Sequence, residues 1–312
     1  MKRIDNVLMV GLGAIGGAYA LKLHKAESVN LRVLAKGQRK HRYQTDGFLI
    51  NGQRIDFEYA DPDSPAPVPA DLILVAVKDY GLGQAIQDMK PFVGQKTLLL
   101  SLMNGITSEE RLADAFGWDQ VLYGLCMGID GFRKGNEIRF HQYGTISFGR
   151  GDNGKKDPAV TAVATLFDEV SIDYQIPENM IYELWYKFMV NVGINQAAAV
   201  VGAGFGAFQQ IPEAHALMQS AMWELIRITE KNGINLTSED LKKWDGVLYN
   251  MPPGSRPSML NDLENHRPTE VDMLAGVIME LGRQYGVPTP VNEALYRAIR
   301  AKEIMCSGKI QA

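Results

Sequence analysis

A glycine-rich segment near the start of the chain constrains the fold more than any other feature. Residues 11–16 are Gly-Leu-Gly-Ala-Ile-Gly, and they follow the apolar run 7–10, which predicts a buried strand. In a strand–turn–helix unit the first glycine permits a tight turn, the second lets the backbone approach a pyrophosphate, and the third lets helix and strand pack closely. A purely structural glycine turn is the alternative. The spacing predicts a dinucleotide-binding segment made of Gly11, Leu12, Gly13, Ala14, Ile15 and Gly16.

Strand-like and helix-like segments then alternate along the first half of the chain. Apolar runs at 31–34, 72–77 and 97–102 are separated by helical patterns, which predicts a parallel sheet with helices on both faces. After Pro177, helical spacing dominates up to Met305. The fold class is therefore α/β, with an N-terminal Rossmann-type doubly wound sheet domain over 1–177 and an all-α C-terminal domain over 178–312.

Composition excludes several classes of partner. The chain has 312 residues, and 32 Lys and Arg against 36 Asp and Glu give a net charge of −4, with no long block of like charge. We therefore expect no nucleic-acid partner and no membrane partner. The chain shows no signal-peptide pattern and no apolar window long enough to span a bilayer, which favours a cytoplasmic location. The two cysteines are far apart and the five histidines form no ligand set, so we expect no metal.

The residues after the second strand indicate which dinucleotide is used. An acidic residue there usually binds the ribose diol of NAD, but this chain has Lys36, followed by Arg39 and Lys40. Cations at this point favour the 2′-phosphate of NADP. The sequence predicts NADP(H) as the cofactor and Lys36 as the main partner of the 2′-phosphate. A solvated basic loop is the alternative.

Two further polar residues follow predicted strands. Lys78 comes after the run 72–77, and Asn104 comes after the run 97–102. Ligands of doubly wound sheets lie beyond the carboxyl ends of the strands, so both are candidates for the reaction site. Each could instead be an ordinary polar strand end.

A stripe of polar residues lies on one helix of the C-terminal half. Lys187, Asn191 and Asn195 are four residues apart, which places them on one helix face among apolar neighbours. Burying an amine and two carboxamides is costly unless they meet a ligand or one another. A buried lysine with a lowered pKa can protonate the oxygen of a ketone that accepts a hydride. A solvated helix face is the alternative.

Taken in order, these segments resemble the ketopantoate reductase (2-dehydropantoate 2-reductase) family over nearly the whole chain. The resemblance rests on the glycine segment, on Lys78, on Asn104 with Gly105, and on the stripe that begins at Lys187. It also rests on Ser258-Met259-Leu260, Asp262, Arg267, Thr269-Glu270-Val271-Asp272 and the segment 285–292.

The resemblance implies the reduction of 2-dehydropantoate to pantoate by NADPH, a step toward pantothenate and coenzyme A. It implies Lys187 as proton donor and Glu270 as a second catalytic residue that contacts cofactor or substrate. The implied substrate ligands are Asn104, Asn191, Asn195 and Ser258. Lys78, Asn104 and Glu270 would also contact the cofactor. Without the resemblance, Glu270 would be an ordinary acid in the first turn of a helix.

The chain departs from the family pattern on the substrate side. Gln196 stands where the family usually has a proline, and Phe205 stands near a position that can hold a substrate-binding asparagine. His266 replaces a glycine, and Ala275 replaces a frequent asparagine. A paralogue that reduces another small 2-oxo acid fits these changes.

Two more distant functions stay open at this point. One is a hydroxy-acid or 6-phosphogluconate-like dehydrogenase, which also joins a Rossmann domain to helices. The other is a regulatory protein that senses NADP(H) without turnover. The partners expected are a small 2-oxo acid and, through the apolar C-terminal helices, a second copy in a homodimer.

Overall fold

The computed structural model describes residues 3–153 and 156–306. Contacts between residues divide the chain into two compact units, Met1–Ile181 and Tyr182–Ala312. The first unit contains a mostly parallel sheet with helices, and the described part of the second is helical. The predicted fold class, a Rossmann-type α/β domain followed by an all-α domain, is confirmed.

The strands are short and lie in the first unit. In chain order they are β1 (Asn6–Val10), β2 (Asn30–Leu34), β3 (Phe48–Ile50), β4 (Gln53–Ile55), β5 (Glu58–Ala60), β6 (Ala70–Val75), β7 (Val93–Ser101), β8 (Val121–Met127), β9 (Phe132–Lys134), β10 (Glu137–Arg139), β11 (Thr145–Gly149) and β12 (Tyr174–Gln175).

The helices occur in both units. They are α1 (Ala14–His24), α2 (Gly37–Asp46), α3 (Asp79–Met89), α4 (Ser108–Phe116), α5 (Pro158–Glu169), α6 (Met180–Val201), α7 (Phe205–Gln210), α8 (Pro212–Asn232), α9 (Ser238–Leu248), α10 (Ser258–Glu264), α11 (Val277–Tyr285) and α12 (Pro290–Cys306). A π-helical segment, Asp272–Gly276, leads into α11.

The larger sheet has eight strands in the order β12-β11-β8-β7-β6-β1-β2-β5. Its central strands are parallel, and only the β8–β11 pair is antiparallel. Successive side chains of a strand point to opposite faces. Val7 and Met9 therefore join the core on one face, while Leu8 and Val10 join the core on the other. A sheet buried on both faces explains why these strands are continuously apolar in sequence.

A smaller sheet, in the order β4-β3-β10-β9, packs against α1. A tight turn at Asn51-Gly52 joins its β3–β4 pair, with Asn51 and Gly52 both at positive φ. Gly17 allows the close approach, because a Cβ at this position would overlap the side chain of Ile138 in β10. The four strands from β8 to β11 thus belong to two different sheets, since β8 and β11 lie in the larger one and β9 and β10 in the smaller one.

In the second unit, α6 is the central helix for the predicted chemistry. Its residues from Leu184 to Ala199 are mostly buried. At Gly193 a Cβ would overlap the side chain of Met222 in α8, so glycine permits these two helices to pack closely. None of the helices within 3–153 and 156–306 is long and apolar enough to cross a membrane.

Candidate functional site

Four of the predicted site positions lie at one edge of the larger sheet. The parallel strands β7, β6, β1 and β2 are neighbours, and Val10, Val75 and Ser101 are paired across three of them. The residues that follow these strands therefore emerge at a common carboxyl edge. This edge carries Gly11 after β1, Lys36 after β2, Lys78 after β6 and Asn104 after β7.

Two glycines of the turn after β1 are required by the protein itself. Gly11 has φ +100°, and a Cβ there would lie 2.6 Å from the carbonyl oxygen of Ala76. A Cβ on Gly16 would overlap the carbonyl oxygen of Gly11. These two positions allow the tight turn and the close packing of α1 on the strands.

Gly13 differs from them because nothing in the protein excludes a side chain there. Its φ of −73° suits any residue. A Cβ would meet only the Ala76 carbonyl oxygen, at the ordinary contact distance of 3.9 Å. The first intrahelical hydrogen bond of α1 runs from Gly17 N–H to Gly13 C=O, at 2.9 Å, so the amides before it are available to an anion. The turn fits a pyrophosphate that approaches the backbone at Gly13.

Lys36 lies where the sequence predicts a phosphate ligand, but its ammonium group already has a partner. Its Nζ donates to Oδ1 of Asp88 at 2.5 Å, and this hydrogen bond raises the pKa of Lys36. Asp88 is only 7% exposed and also accepts from Gln84 Nε2 at 2.8 Å. Lys40 is paired in the same way with Asp61, at 3.0 Å. The acidic partners were not foreseen, because Asp88 lies 52 residues from Lys36 in sequence.

Asn104 lies on a loop that buried hydroxyl groups support. The Oγ atoms of Ser101 and Ser108 are 2.8 Å apart, and Ser108 Oγ donates to the buried carboxylate of Glu109 at 2.9 Å. The backbone N–H of Met103 donates to Ser101 Oγ at 3.3 Å. These bonds define the backbone next to Asn104, while Gly105, at φ +92°, turns the chain toward α4. Lys78 is the N-cap residue of α3 and is half-buried.

In the second unit, three of the predicted substrate ligands form one hydrogen-bonded chain. Asn195 Nδ2 donates to Asn191 Oδ1 at 3.0 Å, and Ser258 Oγ donates to Asn195 Oδ1 at 3.1 Å. The backbone N–H of Met259 also points to Asn195 Oδ1, at 3.4 Å. The start of α10 is thereby linked to the polar face of α6.

One donor of this chain remains unused. The Nδ2 atom of Asn191 is buried and has no hydrogen-bond partner among the described residues. A buried amide without a partner costs about 1–3 kcal/mol, which a ligand that accepts a hydrogen bond would recover. Lys187, one turn earlier on α6, is 8% exposed, and Glu270, immediately before the helix that leads into α11, is also 8% exposed. Asn191 can therefore offer a buried amide donor to a ligand that carries oxygen atoms.

A buried network behind this face was not foreseen from the sequence. Gln196 Nε2 donates to Asn292 Oδ1 at 2.9 Å and to the Val192 carbonyl oxygen at 2.7 Å. Asn292 Nδ2 and the backbone N–H groups of Val291 and Asn292 all donate to the carboxylate of Glu224, at 2.7–3.0 Å. The network joins α6, α8 and α12 next to Asn195. In sequence, only the unusual Gln196 inside an apolar helix signalled it.

The candidate site residues described above do not form a set of metal ligands. Within the ranges that the structure describes, no cluster of three or more His, Cys, Asp or Glu side chains could hold a metal ion. The polar groups instead suit an organic ligand with oxygen atoms and a phosphate-bearing cofactor.

Two family models match the chain and together cover most of it. Residues 7–153 match the model described as ketopantoate reductase PanE/ApbA, and residues 179–303 match its C-terminal counterpart. The chain belongs to the ketopantoate reductase family. Members of this family are oxidoreductases, and this class applies to the chain.

A sequence relative and two solved structures match this chain over nearly its whole length, and the two structures share its fold. The chain is 28% identical to the 2-dehydropantoate 2-reductase of Aquifex aeolicus, over 96% of this chain and 98% of that one. A solved D-mandelate dehydrogenase with NADH and anilino(oxo)acetate matches with a TM-score of 0.87 at 22% identity, over 97% and 99% of the two chains. A ketopantoate reductase of Ralstonia eutropha matches with a TM-score of 0.83 at 23% identity, over the same shares.

Proposed function

We propose that this family member is an NADPH-dependent reductase of small 2-oxo acids, with 2-dehydropantoate as its first candidate substrate and pantoate as the product. The observation that carries the proposal is the hydrogen-bonded chain of Asn191, Asn195 and Ser258, which leaves one buried amide donor, Asn191 Nδ2, unused on the helix face that also carries Lys187. The product would serve pantothenate and coenzyme A synthesis.

The first unit would bind the cofactor. The glycine turn of residues 11–16 would hold the pyrophosphate through backbone amides, because Gly13 leaves room for its approach. Lys36 would bind the 2′-phosphate. Its ammonium group would either leave its present partner Asp88 or contact the phosphate and Asp88 at the same time. Lys78 and Asn104 would lie near the nicotinamide ribose and the reacting carbonyl. When bound, NADPH supplies the hydride.

The second unit would bind and protonate the substrate. Asn191 Nδ2 would donate to a carboxylate or hydroxyl oxygen of the 2-oxo acid, and Asn195 and Ser258 would complete that contact with their polar groups. Lys187 would donate a proton to the carbonyl oxygen as the carbonyl carbon becomes a carbinol. Glu270 would line the site and contact cofactor or substrate.

A 2-oxo acid with an apolar substituent is a second candidate substrate, because of the position of Phe205. Phe205 is buried, and its N–H bonds to the carbonyl oxygen of Ser255 at 3.0 Å, three residues before Ser258. Gly204 and Gly206 allow this close packing, since a Cβ on Gly204 would lie 2.6 Å from the same oxygen. A phenylalanine next to this loop, near a position where the family can have a substrate-binding asparagine, favours a substrate with an apolar substituent. The D-mandelate dehydrogenase structure with anilino(oxo)acetate is consistent with this alternative.

The proposal is tested by following NADPH oxidation with a panel of 2-oxo acids that includes 2-dehydropantoate and aromatic 2-oxo acids. We expect turnover of at least one acid, and Lys187→Ala should lower kcat by about two orders of magnitude while the Kd for NADPH stays within about twofold. Lys231→Ala, an exposed lysine of the same unit, is the matched control.

The outcomes separate the competing functions. Turnover of no acid in the panel would refute the reductase, and tight NADPH binding without any turnover would favour a sensor of NADP(H). An equal loss of NADPH binding in Lys187→Ala would make Lys187 a cofactor ligand rather than a proton donor. The cytoplasmic location and the homodimer stay predictions, the latter open to light scattering on the purified protein.

A further inference from the structure

The β9–β10 hairpin of the smaller sheet lies directly on the glycine turn. At Gly131, which precedes β9, a Cβ would come within 2.9 Å of the Ala14 side chain in the first turn of α1. Gly17, one turn further along α1, similarly accommodates Ile138 of β10. The hairpin therefore covers the start of the helix whose amides would hold the pyrophosphate.

Arg133 extends from this hairpin to the backbone of the turn. Its Nη1 donates to the carbonyl oxygen of Leu12 at 2.6 Å, and its Nε donates to the carbonyl oxygen of Gly135 at 2.7 Å. The guanidinium carbon lies 5.2 Å from the ring centre of Phe48 and 5.6 Å from that of Tyr43. The aromatic rings and the hairpin turn thus hold the guanidinium group against Leu12.

The peptide unit between Leu12 and Gly13 transmits this contact to the cofactor side. A trans peptide is planar, so the C=O of one residue and the N–H of the next point in opposite directions. All described peptide bonds here are trans. A donor that holds the Leu12 oxygen on the hairpin side therefore keeps the Gly13 N–H directed to the other side.

We infer that Arg133 is a positioning residue for pyrophosphate binding, acting through the Leu12–Gly13 peptide plane. It fixes the direction of the Gly13 N–H before the dinucleotide arrives, which removes the cost of ordering this amide on binding. The inference rests on the proposed cofactor role of the glycine turn. It assigns a function to the smaller sheet, which carries none of the substrate ligands proposed above.

The test measures the affinities of ligands that differ in the pyrophosphate. NADPH, NADH and ADP-ribose contain it, whereas adenosine 2′-monophosphate carries the adenosine and the 2′-phosphate without it. For Arg133→Met we expect the Kd of the three pyrophosphate ligands to rise about tenfold, and that of adenosine 2′-monophosphate to change less than about twofold. Calorimetry or competition with NADPH fluorescence gives these values without any turnover.

Two further variants make the result decisive. Arg139→Met removes an exposed arginine of the same hairpin, which pairs with Glu137, and should leave all four affinities unchanged. Arg133→Lys keeps the charge without the planar fork, and should give an intermediate loss for the pyrophosphate ligands only. If Arg133→Met does not fold, Arg133→Lys carries the comparison by itself.

The inference is overturned if the pyrophosphate ligands bind Arg133→Met and Arg133→Lys as tightly as the wild type. It is also overturned if adenosine 2′-monophosphate loses as much affinity as NADPH, since Arg133 would then shape the adenosine site. Failure of the wild-type protein to bind any dinucleotide is a different result, and it would refute the proposed function instead.

Discussion

The three glycines of the turn after β1 serve different physical purposes. Gly11 and Gly16 meet the protein's own carbonyl groups, and so their lack of a side chain is a requirement of folding. Gly13 meets nothing closer than an ordinary contact, so the fold does not require a glycine there, and its lack of a side chain leaves room for the pyrophosphate that we propose. The contacts therefore distinguish glycines that look alike in the sequence. Two of them are required by the fold, and the third leaves room for a ligand.

This difference predicts opposite effects for two alanine variants. Gly13→Ala should leave the unfolding free energy within about 1 kcal/mol of the wild type, yet weaken NADPH binding about tenfold or more. Gly16→Ala should lower the unfolding free energy by about 2 kcal/mol or more, because its Cβ overlaps the Gly11 carbonyl oxygen. Chemical denaturation and NADPH titration measure both quantities. A Gly13→Ala protein that binds NADPH normally would speak against pyrophosphate at this turn.

At the scale of elements, the polar face of α6 depends on helices that lie behind it. Glu224 of α8 accepts from the N-terminal turn of α12, and Asn292 connects that turn to Gln196 of α6. Glu224 is 4% exposed and Asn292 is fully buried. Because a buried carboxylate needs its donors, the three helices are held in one relative position next to Asn195.

Asn292→Leu should therefore be strongly destabilising, although it keeps the number and the branching of the side-chain heavy atoms. The variant leaves Glu224 without one side-chain donor and Gln196 without an acceptor, and we expect a loss of about 3 kcal/mol in unfolding free energy. Asn250→Leu, at an exposed position of the same unit, should change it by less than about 0.5 kcal/mol. Urea denaturation compares the two. A small effect at Asn292 would mean that the network adds little to the packing of these helices.

At the scale of the whole molecule, cofactor preference is linked to global stability. A ligand that binds only the folded chain stabilises it by about 2.7 kcal/mol at one hundred times its Kd. If Lys36 binds the 2′-phosphate as we propose, its pairing with Asp88 would lower the gain in binding free energy, since the phosphate would have to compete with a buried carboxylate 2.5 Å from the ammonium nitrogen. We therefore expect a preference for NADPH over NADH that is moderate rather than absolute.

The preference can be read from thermal unfolding with equal concentrations of the two dinucleotides. NADPH should raise the Tm more than NADH does, and Lys36→Gln should reduce this difference by at least about half, because the amide can still donate to Asp88 but carries no charge. Lys90→Gln, an exposed lysine that follows α3, is the control. An unchanged difference in Lys36→Gln would assign the 2′-phosphate to another residue, such as the exposed Arg39.

The sequence by itself determined the fold class, because periodicity and glycine spacing are local properties. The apolar runs gave the central strands, and the spacing of Lys187, Asn191 and Asn195 placed them on one face of a single helix. The family resemblance was also contained in the sequence and is confirmed. The assignment of the individual site residues, and the domain boundary after residue 177, remain predictions.

Only the tertiary structure decided which distant residues accompany these local patterns. The pairing of Lys36 with Asp88, the contact of Arg133 with Leu12 over 121 residues, and that of Gln196 with Asn292 over 96 residues depend on how elements pack. Local spacing carries no information on such contacts, because each joins elements that are neighbours only in the folded chain. The glycine turn was thus predictable, whereas the side chain that holds its backbone was not.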